Sequence, residues 1–152
     1  MRKNSLILSR FILMGLLIGL FLLPSCATGP AFKKIETIPD NMGLVYIYRP
    51  GKMMGAAVSY KVRANGVVIT TLTPGGYYPY ITKPGEVEFS AKTEATSSVT
   101  IDVKPGETHY IKGTIGVGFL VGRPHLVVVP PEVGEKEVMN CKLLQETKEE
   151  GK

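Results

Sequence analysis

Tryptophan is absent from the 152 residues, and cysteine and histidine occur only twice each. Two cysteines, Cys26 and Cys141, are too few for the disulfide framework that staples small secreted domains. The histidines, His109 and His125, have no cysteine, aspartate or glutamate at metal-ligand spacing, so no metal site is expected. The Gly-x-Ser-x-Gly elbow of the α/β-hydrolases is missing. Gly116-Val-Gly118-Phe-Leu-Val-Gly122 has one residue too many for a dinucleotide fingerprint, and no helical pattern follows it. These absences argue against an enzyme and against a bound cofactor. Acidic residues are lacking from the first 25 positions, which hold Arg2, Lys3 and Arg10. The rest of the chain carries 15 basic against 13 acidic residues, a net charge of +2 rather than the +5 of the whole. So small an excess cannot make the basic face that nucleic acid requires.

What is present begins with a targeting pattern. Arg2 and Lys3 precede an apolar run, Phe11–Leu23, of 13 residues. A membrane-spanning helix needs about 20 apolar residues, so this run reads as the core of a signal peptide over residues 1–25. The alternative is an uncleaved anchor helix. Leu23-Pro24-Ser25-Cys26 follows at once. It resembles the bacterial lipobox, with Pro24 the least typical residue. The resemblance implies a diacylglyceryl group on the Cys26 thiol, cleavage before Cys26 and acylation of the new amine. Two or three acyl chains hold a protein to a membrane far longer than one. Ala27 stands where an aspartate would favour retention in the inner membrane. The resemblance therefore implies a lipid-anchored protein of the cell envelope, at the outer membrane and facing the periplasm.

From Cys26 onward, 127 residues suit one domain. Residues 26–41 hold the lipidated cysteine and a stretch rich in proline, glycine and small polar residues, expected as a tether. Residues 42–145 have a period close to two. Gly43–Arg49 is a β-rich run, and Val58, Tyr60, Val62 and Ala64 share one face of the next. Asn65-Gly66 is a strong hairpin signal. Lys-Pro-Gly-Glu occurs at 83–86 and again at 104–107, each time between β-like runs. Glu86 and Glu88 flank Val87 on one strand and should face water. A short helix is expected around Gly134–Asn140, then an extended Lys142–Leu144 and a polar tail over 146–152. Regular turns between about 7–8 short strands predict an all-β fold, an antiparallel sandwich or barrel, with a short C-terminal helix.

Val45-Tyr-Ile-Tyr-Arg-Pro50, Gly55-Ala-Ala-Val-Ser-Tyr60, Asn65-Gly66, Gly76-Tyr77-Tyr78 and Pro84-Gly85 occur in an order that resembles a family of bacterial lipoproteins with a domain of unknown function, the 2846 family. Gly106-Glu-Thr-His-Tyr110, Val121-Gly-Arg-Pro124 and Cys141-Lys-Leu-Leu144 continue the pattern, so the resemblance covers about residues 43–144. It implies a β-sandwich of PEGA or transthyretin-like outline and carries over no catalytic residue.

Two segments stand out as candidate contact loops. Lys52–Ala57 contains Met53 and Met54, whose flexible side chains suit either a contact surface or core filling. Gly113–Gly122 interleaves four glycines with Ile115, Val117, Phe119, Leu120 and Val121. Adjacent strand residues face opposite ways, so the segment is expected to cross from strand to loop there and to leave one of Phe119 and Leu120 partly exposed near Arg123, the other buried. Cys141 is expected to be a buried, reduced thiol beside Leu143 and Leu144. The function expected is a membrane-anchored, non-catalytic interaction module of the envelope, held through its N-terminal lipid and presenting loops to an envelope protein partner. The alternative is an envelope binding protein for a small apolar or glycan ligand, with Tyr46, Tyr48, Tyr77, Tyr78 and Tyr80 lining the pocket.

Overall fold

Gly43–Arg49 has no polar face. As a strand it must be covered on both sides, and the architecture follows from that. The computed structural model describes residues 26–51 and 57–147. Strand β1 is Gly43–Arg49, followed by β2 (Tyr60–Ala64), β3 (Val67–Leu72), β4 (Gly76–Thr82), β5 (Gly85–Lys92), β6 (Thr96–Val103), β7 (Thr108–Gly116), β8 (Arg123–Val129), helix α1 (Pro131–Val138) and β9 (Lys142–Leu143). One sheet has the order β8-β7-β1-β4-β9 and the other β3-β2-β5-β6. All seven residues of β1 are buried. Val45 and Ile47 face the second sheet and meet Val62, Leu72, Phe89 and Val103 in the sandwich core. Leu44, Tyr46 and Tyr48 point the other way, into a second cluster with Tyr77, Tyr110, Val138 and Cys141. The molecule is thus a sandwich with a third layer on one side.

The expected alternation holds in the second sheet. Tyr60, Val62 and Ala64 are buried on β2, and Val87 is buried between exposed Glu86 and Glu88 on β5. Asn65-Gly66 turns with φ of 48° and 82°. Most neighbouring strands pair antiparallel, as expected, but β1 pairs with β7 and β4 with β9 in parallel. Each connection from β1 to β8 reverses the chain direction, so odd-numbered strands point one way. β1 and β7 are both odd, and neighbours of that kind can only be parallel. Helix α1 takes the next upward pass, which leaves β9 running down beside β4.

Helix α1 begins at Pro131 rather than near Gly134 and ends at Val138. Proline fits the first helical turn, where its missing N–H would have no partner. The helix packs on Tyr110 through Gly134, where a Cβ would overlap the Tyr110 ring. Glu137 Oε2 accepts a hydrogen bond from Tyr48 Oη at 2.7 Å, and Lys112 Nζ lies 2.6 Å from Glu137 Oε1. Burial, then this carboxylate, pushes the Tyr48 phenol above its ordinary pKa.

The segment expected as a free tether is instead part of the third layer. Phe32, Ile35 and Ile38, three residues apart, pack into the second cluster. The Phe32 ring lies edge-on to Tyr46 and Tyr77, with centroids 5.4 and 5.0 Å away. Such pairs contribute about 0.5–1.5 kcal/mol each beyond area burial. The Ile35 amide donates to Tyr46 Oη at 2.9 Å, and the Phe32 amide donates to the Cys141 carbonyl at 3.0 Å. A similar correction applies at the other end. Glu146 bridges to Thr70, and the Thr147 amide donates to the Ile69 carbonyl at 3.1 Å, so the polar tail starts on the edge of β3.

Alanine is favoured over glycine in a helix interior by about 1 kcal/mol. At Gly134 the order should reverse, because an added methyl meets the Tyr110 ring and overpacking costs about 1–3 kcal/mol. Denaturant unfolding of Gly134→Ala should show lower stability than the parent. A gain would mean that the helix does not rest on Tyr110.

Candidate functional site: the β7–β8 loop

Between β7 and β8 the pattern of the strands breaks into Val117-Gly-Phe-Leu-Val-Gly122. The loop is short of polar side chains but its backbone is held. Glu94, in the turn between β5 and β6, accepts hydrogen bonds from the Phe119, Leu120, Val121 and Gly122 amides; the Phe119 bond is 2.7 Å and the Gly122 bond 3.4 Å. These donors, Val121 first, hold the Glu94 pKa below its ordinary carboxylate value. Thr93 Oγ1 donates to the Gly122 carbonyl at 2.6 Å. The backbone wraps so tightly that a Cβ on Gly118 would meet Glu94 Oε2 at 2.5 Å, and Gly122 has φ of 93°. A single carboxylate therefore organises the whole tip.

The side chains point outward. Phe119 is 92% exposed and Leu120 84%, beside Val117 at 86% and Val121 at 49%. The expectation that one of Phe119 and Leu120 would be buried is wrong. The segment does cross from strand to loop there, as expected, but residues 117–122 curl their amides around Glu94 and turn both side chains away from the sheets. Arg123 is exposed, as the first residue of β8 opposite Gly116. Nothing in the sequence singles out Glu94, whose Lys-Thr-Glu-Ala-Thr setting reads as an ordinary solvated turn.

The other sequence candidates fall elsewhere. Met53, Met54, Leu23, Pro24 and Ser25 lie outside the described residues. Cys26 is exposed, and the next residue, Ala27, is pinned by its amide to the Pro74 carbonyl at 3.2 Å. The tyrosines expected to line a pocket are structural. Tyr46, Tyr48 and Tyr77 are buried in the second cluster, and Tyr78 and Tyr80 pack against the main core. The hydroxyls of Tyr46, Tyr48 and Tyr77 bond to groups of the chain itself. Tyr46 Oη takes the Ile35 amide and Tyr77 Oη takes the Lys33 amide. An open cleft of about 470 Å³ runs over Tyr77 and Pro79 beside residues 33–37, and another of about 320 Å³ lies between residues 26–29 and Leu144. Neither is formed by the five tyrosines together.

His109 Nε2 lies 3.2 Å from Glu107 Oε2 at the surface, and His125 is exposed on β8. Among the described residues no group of three or more histidine, cysteine or carboxylate side chains could hold a metal ion. Cys141 is 2% exposed. Its thiol faces the backbone carbonyls of Arg49 and Glu137 at 3.7 and 3.8 Å. Burial, then the Glu137 charge, pushes its pKa up to about 11.

Two outcomes follow from this geometry. Glu94→Ala should accelerate amide exchange at residues 119–122 while leaving the β7–β8 ladder protected, as read by hydrogen-exchange NMR. Unchanged exchange there would remove Glu94 as the organiser. In a Cys26→Ser background, Cys141 should react slowly with thiol reagents at neutral pH and quickly after denaturation. Because its folded pKa is raised from 9.0 to about 11, the unfolded chain loses this proton first. The parent should therefore lose stability relative to Cys141→Ala as pH rises from 9 to 11.

The family model for a protein of unknown function (DUF2846) matches residues 39–123. The match takes in β1 to β7, Glu94 and the loop up to Arg123, and stops short of the resemblance drawn above to Leu144. No curated protein and no solved structure matches the chain. With more than half of its length matched, the chain belongs to the DUF2846 family.

Proposed function

We propose that the protein is a lipid-anchored module of the bacterial cell envelope whose sandwich is held close against the membrane and acts by contact rather than by catalysis. The observation that carries this reading is the position of Cys26. It follows the apolar run Phe11–Leu23 and the Leu23-Pro-Ser pattern, and the chain is fixed to the domain from Ala27 onward. Ala27 is 8% exposed, and the packing of Phe32, Ile35 and Ile38 removes the slack that a tether would have had. An acylated Cys26 would therefore hold the β-sandwich at the bilayer surface instead of suspending it at a distance.

Ala27, in place of an aspartate, favours the outer membrane, with the domain facing the periplasm. The partner is an envelope component reached by the exposed loops.

Replacing the proposed lipidation residue tests the reading. Cys26→Ser should accumulate as an uncut precursor that takes up no labelled palmitate, while the parent is cleaved and labelled. Palmitate incorporation and normal cleavage in the variant would overturn it.

A further inference from the structure

The end of the sandwich that carries Cys26 also carries the apolar tip, and the strand directions establish this. β1 finishes at Arg49, opposite Gly76 at the start of β4. Ala27 is bonded to Pro74, in the turn just before β4. β7 runs parallel to β1, with Lys112 beside Tyr48, so Gly113–Gly116 and the loop after them project past that same end. β5 also finishes there, which is how Glu94 reaches the loop. Only β1 separates β4 from β7, a distance of about 10 Å at ~4.8 Å per strand.

We propose that Val117, Phe119, Leu120 and Val121 dock into the headgroup region of the lipid bilayer that holds Cys26, as a second attachment that fixes the domain's orientation. This rests on the lipid-anchor reading. Four observations support it. The side chains form one contiguous apolar tip, three of them more than 80% exposed, and isolated exposed apolar residues would need no such explanation. The tip is pre-ordered, so little conformational freedom is lost on insertion. Backbone N–H groups entering an apolar phase need partners, and the Glu94 carboxylate already accepts from four of them. Lys92 and Arg123, exposed on the strands that flank the tip, complement anionic headgroups. The occupant is a lipid surface rather than a protein because the anchor places this end against lipid whatever else is nearby.

The absence of tryptophan supplies the test. Phe119→Trp in the full chain gives a sole indole at the tip; Leu120→Trp gives a second reporter should the first variant fold poorly. Ile81→Trp, near the opposite end of β4, is the control. Each protein is purified from bacterial membranes and reconstituted into phosphatidylethanolamine–phosphatidylglycerol vesicles, with and without brominated acyl chains. The mass of the N-terminal peptide reports the lipid on Cys26 in the same sample. The tip indoles should shift to the blue and lose emission to the brominated chains, while the Ile81→Trp indole does neither. Tip emission that stays water-like and unquenched, with Cys26 acylated, overturns the docking and leaves the anchor standing. A blue shift confined to native membranes and not quenched by brominated lipid means a protein partner and also overturns it. An unacylated Cys26 with a quenched tip overturns the anchor and keeps the lipid contact; an unquenched tip as well removes both.

Discussion

The two-sided burial of β1 is the constraint on which the rest of the structure depends. A strand at the edge of a core can leave one face to water. One that reads Gly-Leu-Val-Tyr-Ile-Tyr-Arg cannot. The four-stranded sheet covers Val45 and Ile47. Leu44, Tyr46 and Tyr48 face no third sheet among the described residues, and helix α1 and residues 32–38 cover them. The tyrosine hydroxyls are then satisfied by their cover: Tyr46 by the Ile35 amide and Tyr48 by Glu137. Burying a phenol without such a partner would cost about 1–3 kcal/mol, so the polar contacts select which segment can lie there.

This requirement changes how the N-terminal region works. A proline- and glycine-containing stretch is by composition a linker, and in isolation it would behave as one. Against an aromatic sheet face, Phe32, Ile35 and Ile38 find burial at every third residue, and the stretch becomes a wall of the domain. The position of Cys26 is then set by the fold. It emerges beside the turn before β4, at the end where the odd-numbered strands finish.

Glu94 has an analogous role at the other corner of that end. An apolar loop with two glycines would be expected to sample many conformations. One carboxylate that accepts from consecutive amides replaces the hydrogen bonds a strand would have made. The consequence is an ordered loop whose side chains are directed outward, which neither regular strand geometry nor core burial would have produced.

The all-β class, its turns and its short helix were legible in the residues themselves. Period-two alternation in β2 and β5, Asn65-Gly66 and the prolines at 130 and 131 act over a few neighbours, where local sterics and burial decide the outcome. The apolar runs likewise marked residues 113–122 as unusual. What local pattern could not decide was anything that depended on which elements meet across the fold. The parallel pairing of β1 with β7 follows from the number of chain reversals between them. The docking of residues 27–38 depends on an uncovered face created by residues far along the chain. The outward turn of both Phe119 and Leu120 depends on Glu94, some 25 residues earlier in the sequence. Burial and hydrogen bonding across such separations are properties of the assembled sheets, and they placed the Cys26 end and the apolar tip together.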